Sequence, residues 1–400
     1  MIECVLALAI LPLCLPAFSL LALTLAALRR PRERPPSAAD DTPAPRVAVL
    51  VPAHNESAHV LPTIRCLRGE LGPADRLLVI ADNCDDDTAA LAREAGAEVA
   101  ERCDRARRGK GYALAFGVDR LRVDPPDVVL VVDADCVVSE GAVAAIARDC
   151  HRSGQPVQML DLMRAEAGTC LRTRVLAFAM VMKNLVRPLG SFRLGRAVHL
   201  MGTGMALPWS LASPAELATG HITEDMKLGI ELAKAGHATR FLPGVRVTSA
   251  FVGDARAAMA QKSRWEHGHL ELIAKELPGL LRAAWVRRDR ALAVLAMDLM
   301  IPPVALYFLL LAATLAGSVP AAWAWPVFRP MAATAGIGAL AFAIAITLGW
   351  LRYARDCCSA GELLRLPLYA LWKLPVYAAY CMGRRSGWVR TQRDATAQLR

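Results

Sequence analysis

The chain has 400 residues, 55% of them hydrophobic, and a formal net charge of +10. A positive mean hydropathy on that scale excludes a chain lying wholly in water, while the length leaves room for a globular domain beside apolar segments. The basic excess gathers next to the apolar segments instead of covering one soluble face, which argues against a nucleic-acid partner. Eleven scattered cysteines, with Cys357 and Cys358 adjacent and no metal-type spacing, read as reduced thiols and not as a disulfide framework.

The first element is an apolar stretch from Cys4 to Leu28, long enough to cross a bilayer, which takes roughly 20 residues. It lacks a basic leader and is too long for a signal peptide, so it reads as a retained anchor. A Pro- and Arg-rich linker, 29–46, follows, opening with Arg29, Arg30, Arg32 and Arg34.

Val47–Val51 has the pattern of a buried strand and ends in Pro52-Ala-His-Asn-Glu56; Leu77–Ala81 is a second, ending at Asp82-Asn83. A helical pattern, Thr88–Ala95, closes at Gly96, Glu98–Ala100 is a shorter strand, and Gly111–Leu121 is helical again. Val128–Val132 then runs apolar until Asp133 and Asp135. Strands alternating with helices imply a mostly parallel sheet covered on both faces, with its ligand site along the edge where the strands end. Asp133 and Asp135 point the same way from an extended chain, which suits a hard cation and the phosphates it neutralises. Asp85 and Asp87 share that spacing, but no strand delivers them.

Beyond Asp135, Val157–Met163 alternates weakly as a strand, and Leu171–Leu185 is a helix whose methionines suit core packing. In Met201-Gly-Thr-Gly204, the small residues Gly202 and Gly204 let a backbone approach a ligand. A helix is expected from Thr223, its N-cap, to Gly236; Glu224 and Asp225 in its first turn complement the helix dipole, a structural role sufficient by itself. In Met259–Ala274, Gln261, Arg264 and Trp265 stand at i, i+3 and i+4 and share one face. Such a face either binds carbohydrate, with the indole stacked on a sugar ring, or anchors an interfacial helix. His267 and His269 have the wrong spacing for a shared metal and are expected at the surface.

Two further spans are expected at Leu299–Val319 and Met331–Leu351. Arg282, Arg287, Arg288 and Arg290 precede them, Arg352 and Arg355 follow, and the loop between carries only Arg329. That asymmetry puts the N-terminus outside and the middle region in the cytoplasm of a bacterial-type plasma membrane. Leu363–Met382 is apolar but holds Lys373 and two prolines, with arginines on both sides, and is expected to lie in the interface as an amphipathic platform beside the site. The expected organisation is a transmembrane helix at 1–28, the linker 29–46, a cytoplasmic α/β domain at 47–290, two transmembrane helices at 291–351, and an interfacial segment with a basic tail at 352–400.

In this order the motifs resemble the family-2 glycosyltransferases, in particular the membrane-embedded branch with the cellulose and hyaluronan synthases. The likeness covers Val47 to Trp265 and, more weakly, Lys373-Leu-Pro and Trp388-Val-Arg-Thr. Pro52-Ala-His-Asn-Glu56 is similar to the opening nucleotide-binding motif, with His54 where Tyr is common. Asp82 matches the acid that contacts the nucleobase, with Ala81 where a second Asp is frequent. Gly109-Lys-Gly111 is similar to the segment whose lysine meets the diphosphate, Asp133-Ala-Asp135 to the metal motif, Thr223-Glu-Asp225 to the catalytic-base motif, and Gln261-Lys-Ser-Arg-Trp265 to the acceptor-side motif.

The resemblance implies a GT-A-type, Rossmann-like α/β domain and a metal-dependent, inverting hexosyl- or N-acetylhexosaminyl-transferase. Glu56, Asp82, Lys110 and Asp133 would bind the nucleotide sugar, a UDP-sugar by expectation. Asp135 with Asp133 would hold Mg²⁺ or Mn²⁺, and Asp225, beside Glu224, would be the base. Gly202, Gly204, Gln261, Arg264 and Trp265 would face the acceptor or diphosphate. Partners would be a lipid or saccharide acceptor and membrane lipids, in polysaccharide or glycolipid synthesis. The alternative is a membrane-anchored, nucleotide-binding regulatory protein with a degenerate site.

Overall fold

The computed structural model describes residues 2–29, 43–164, 170–218, 223–251 and 255–382. Most of the basic linker and the tail that holds Arg384, Arg385, Arg390, Arg393 and the Trp388–Thr391 motif lie outside the described residues. The chain divides into two compact units, one of Arg30–Arg164, Arg196–Gly268 and Gly387–Arg400, the other of Met1–Arg29, Ala165–Gly195 and His269–Ser386.

The first unit is built on eight strands: β1 (Val47–Ala53), β2 (Arg76–Asp82), β3 (Glu98–Arg102), β4 (Val128–Val131), β5 (Cys136–Val138), β6 (Val157–Arg164), β7 (Met205–Pro208) and β8 (Arg240–Ala250). They form one sheet in the order β3-β2-β1-β4-β7-β6-β8-β5. The β3-β2-β1-β4 half is parallel, as the alternation of strands and helices implies. In the other half β7 runs antiparallel to β4 and β6, and β5 antiparallel to β8, so the whole sheet is mixed.

Alternate residues of the central strands feed two cores. Val47, Val49 and Val51 of β1 pack with Ile64, Leu67 and Ile146 on one face, and Ala48 and Leu50 with Leu114 and Val118 on the other. A strand buried on both faces needs apolar residues at every position, which is why β1, β2 and β4 read as unbroken apolar runs. The connection from β1 leads to β2 and β3 on one side, and β4 lies on the other. That reversal opens a crevice at the ends of β1 and β4, the place where such sheets bind ligands.

The second unit is helical. Among the described residues, four helical segments are long and apolar enough to cross a membrane: Leu8–Leu28, Leu171–Gly195, Val304–Ala324 and Pro326–Tyr353. Three coincide with the expected spans. The Leu171–Gly195 segment was expected only as a core helix of a continuous 47–290 domain, and instead belongs to the helical unit. Its basic residues break the apolar run in the sequence, and the fold gives several of them polar partners. Arg187 Nε and Nη2 donate to Asp298 Oδ1 and the Asp298 carbonyl, both at 2.7 Å, Arg193 donates to the carbonyls of Ala26 and Ala27, and Arg174 pairs with Glu362. Gly190 lies against Leu23, where an added Cβ would come 2.1 Å from the Leu23 carbonyl oxygen; such close backbone contact is how helices associate in lipid.

Leu363–Met382 is not one amphipathic helix but a run of short ones, Ala360–Leu363, Leu366–Trp372 and Leu374–Cys381. Its leucines 364, 368, 371 and 374 are exposed while Lys373 is buried, with its ammonium 5.8 Å from the rings of Tyr369 and Tyr377. His267 and His269, expected at the surface, are both buried on the long helix Ala255–Arg287. His269 Nε2 lies 3.0 Å from the Ile301 carbonyl, and burial, then the Arg187 charge, push its imidazole down to a pKa of about 3.

Candidate active site

The parallel strands deliver the site's first residues. Just beyond β1 and β2, Asn55 and Asn83 take φ of 54° and 52°, a left-handed conformation that asparagine tolerates better than most residues. Their side-chain oxygens accept from the Asp85 and Asp104 amides at 2.7 and 2.8 Å, fixing the two loops. Glu56 is held through its own amide, which donates to Thr88 Oγ1 at 2.8 Å, and its carboxylate lies 3.3 Å from His59 Nδ1. Asp82, at the end of β2, is buried; its Oδ1 accepts from Arg102 Nη1 at 2.6 Å and from Asn83 Nδ2 at 2.9 Å. Arg102 also donates to Asp104 at 3.1 Å, and its guanidinium sits 5.7 Å from the centre of the Tyr112 ring. Arg102 and Tyr112 belong to no expected motif. An arginine ending an exposed edge strand looks, in the sequence, like ordinary solvated charge.

β4 stops at Val131, two residues before Asp133. The Asp133–Asp135 segment is therefore a turn, closed by the Cys136 amide donating to the Asp133 carbonyl at 3.1 Å, and not the extended chain expected. The turn still draws its side chains together: Asp133, Asp135 and Cys136 each bring one potential ligand atom within 4.8 Å of the others. Burial, then Asp133 and Asp161, push the Cys136 thiol well up, which disfavours the thiolate beside the two carboxylates. What remains is a pair of hard carboxylates, a donor set that fits Mg²⁺ or Mn²⁺ with other positions left for phosphate oxygens and water.

Lys110, first residue of the helix Lys110–Leu121, donates to Asp133 Oδ1 and, at 2.7 Å, to the Gly202 carbonyl. Burial works against its charge, but Asp133, Glu224 and Asp225 prevail and hold the ammonium above its ordinary pKa. The Met201–Gly204 loop is shaped by Gly202 and Gly204, at φ of 88° and 63°. A Cβ on Gly204 would meet Met159 at 2.5 Å; one on Gly202 would come 3.2 Å from Asp225 Oδ2 and 3.6 Å from Lys110 Nζ. Gln158, fully buried in β6, staples this loop: its Nε2 donates to the carbonyls of Thr203 and Gly204 at 2.8 and 3.2 Å, and its Oε1 accepts from the Met201 amide at 2.9 Å. Thr203 Oγ1 in turn accepts from the Asp133 amide at 3.1 Å. The sequence signal for Gln158 was a lone amide inside an apolar strand.

Glu224 and Asp225 open the helix Glu224–Lys234. Thr223 occupies the N-cap position, but its side chain makes no capping hydrogen bond, contrary to expectation, because its backbone takes φ −120°, ψ 49°. Burial, then the Asp225 charge, push the Glu224 carboxyl up to about 8. The structure thus brings Lys110, Asp133, Asp135, Gly202, Glu224 and Asp225 into one cluster. Gln261, Arg264 and Trp265 lie on the helix Ala255–Arg287, with Gln261 buried, Arg264 half-buried and Trp265 exposed. Burial lowers the Arg264 pKa.

A mixed α/β sheet with a carboxylate pair and a lysine at its switch-point edge defines a GT-A-type domain. The family model for glycosyltransferase like family 2 matches residues 44–268, and the chain belongs to that family. It is 24% identical over 243 residues to the probable glycosyltransferase YdaM of Bacillus subtilis (strain 168); the match covers 58% of this chain and spans 57% of that relative's length. Among solved structures, the mannosyltransferase PcManGT from Pyrobaculum calidifontis, in complex with GDP-Man and Mn²⁺, is similar with a TM-score of 0.52 and 19% identity, covering 88% of this chain and 99% of that one.

Proposed function

We propose that the protein is a membrane-embedded, inverting glycosyltransferase that moves a sugar from a nucleotide donor, a UDP-sugar by preference, to a lipid-linked or growing saccharide acceptor. The observation that carries this reading is the convergence of Asp225 and Lys110 on Gly202: a carboxylate and an ammonium meet at one glycine. As the bond from the anomeric carbon to the diphosphate breaks, negative charge grows on the leaving oxygen, and the Lys110 ammonium stabilises it. A divalent cation held by Asp133 and Asp135 would supply further neutralisation of the diphosphate. The acceptor oxygen forms the new bond at the anomeric carbon while its proton passes to Asp225, and the nucleoside diphosphate departs. One base, and no candidate protein nucleophile among the described residues, make this a single displacement with inversion. Trp265 would stack an acceptor ring, with Gln261 and Arg264 bonding to its hydroxyls or to the diphosphate. The arginine pattern beside the apolar helices supports a cytoplasmic site and an outside N-terminus.

The test is nucleoside diphosphate release by the purified protein across a panel of UDP- and GDP-sugars, with and without chelator, beside Asp225→Asn. Release with one donor, lost with chelator and reduced by about 10²-fold or more in the variant, is expected. Undiminished release from Asp225→Asn would remove that residue as the base. Nucleotide binding without turnover of any donor would favour the regulatory reading.

A further inference from the structure

Glu224 and Asp225 border a second feature that the reaction above does not use, a cavity of about 390 Å³ between the helices Lys110–Leu121 and Glu224–Lys234. Lys110, Asp133 and Asp135 do not line it. Its walls are mostly apolar, with Leu114, Met205, Leu217, Leu228 and Leu232 supplying most of the surface. From Asp225 to Leu232 the wall follows two turns of helix, roughly 10 Å at 1.5 Å per residue. An apolar cavity of roughly 150 Å³ is enough to hold benzene, so this one accepts a group more than twice that size. Among the described residues its charged lining is acidic on balance: Glu216, Asp225 and Glu231, the last paired with Lys234 at 3.1 Å, stand against Lys227, while burial and the Asp225 charge keep Glu224 largely protonated. A phosphate entering here would meet more unpaired carboxylate than ammonium.

We propose that this cavity receives an apolar group carried by the acceptor close to its reacting hydroxyl, and that this part of the acceptor is uncharged. The acceptor would be a neutral amphiphilic alcohol and not a lipid phosphate. This rests on the transferase reading, because the hydroxyl is placed by Asp225 while the apolar group fills the space beside it. The apolar wall then does for the acceptor what Lys110 and the carboxylates do for the donor: each half of the reaction has its own side of Asp225.

The experiment uses the full chain in nanodiscs, with methyl, propyl and hexyl β-glucosides as probe acceptors at known free concentration and the donor that supports nucleotide release. Each methylene buried gains up to about fourfold, and with only part of the five added methylenes seated kcat/KM is expected to rise by about tenfold from methyl to hexyl. Leu232→Trp and Leu217→Trp fill the cavity at two half-buried positions and are expected to bring the hexyl-to-methyl ratio below about threefold. Calorimetry provides a readout free of turnover: hexyl β-glucoside binds the parent, binds both variants more weakly, and binds more tightly than hexyl phosphate. A ratio near one in the parent, a ratio unmoved by either filled variant, or tighter binding of hexyl phosphate overturns the proposal. Should no donor turn over, the transferase reading fails, and calorimetry alone decides whether the cavity takes the apolar group.

Discussion

Arg102 shows how much a single side chain outside every motif governs the site. Its side chain is only 10% exposed, that of Asp82 only 9%, and the two share a 2.6 Å bond. Removing one member of a buried pair leaves the other charge uncompensated, at a cost of about 3–5 kcal/mol. Arg102→Ala should therefore destabilise the α/β unit by about that amount and weaken nucleotide binding, read by denaturant melts and calorimetry; Arg102→Lys should recover only part, lacking the planar fork that reaches both Asp82 and Asp104. Glu224 gives the pH dependence. Its folded-state pKa is raised to about 8 from an ordinary 4.5, so over that window the folded chain binds more protons than the unfolded one. Stability from this group is present at low pH and lost as pH rises toward 8. Glu224→Gln should flatten that slope, gaining on the order of 1 kcal/mol at pH 8 after allowance for solvent screening, seen as a few degrees in the metal-free melting temperature. An unchanged slope would mean that Glu224 is ionised throughout.

Elements differ in how far the sequence foretells them. β1, β2 and β4 were legible because burial on both faces demands unbroken apolar runs, and their ends at Ala53, Asp82 and Val131 put Glu56, Asp82 and Asp133 within a few residues of the edge. In the other half only β6 was legible, as the weak alternation of Val157–Met163: β7 is four residues long and β5 three, too short for any periodicity, and both are fixed by pairing with distant strands. The Met201–Gly204 loop lies between these cases. Its glycines announced close approach, but what holds it is Gln158, far away in sequence on β6. Gln158→Leu preserves volume and removes those bonds, leaving the Thr203 carbonyl and the Met201 amide without that partner. A loss of about 2–3 kcal/mol is expected, with a larger fall in nucleotide affinity than at Arg102→Lys, because the loop's Gly202 carbonyl positions Lys110. Amide exchange of residues 201–204 would report the loosened loop directly.

At the scale of the whole chain, two cores imply two cooperative transitions. The α/β unit buries its strands between helices and depends on hydrophobic burial from water, whereas the helical unit packs glycine against backbone and holds Arg187 against Asp298 within it. The helical unit's membership was hidden in the sequence because Arg187 looks incompatible with a membrane-length segment until Asp298, distant in the chain, is seen to accept from it. Scanning calorimetry in nanodiscs should thus resolve two melts. A nucleotide diphosphate with Mn²⁺ should raise only the one that belongs to the α/β unit, by about 2.7 kcal/mol at a hundredfold excess over Kd. Arg187→Met should lower only the other, since it takes the guanidinium away from the buried Asp298 carboxylate, while the double change Arg187→Met with Asp298→Leu should restore most of the loss, because an apolar pair of similar volume needs no desolvation. A single melt shifted by both ligand and Arg187→Met would show instead that the units unfold as one, and that the ion pair supports the α/β unit as well as its own helical unit.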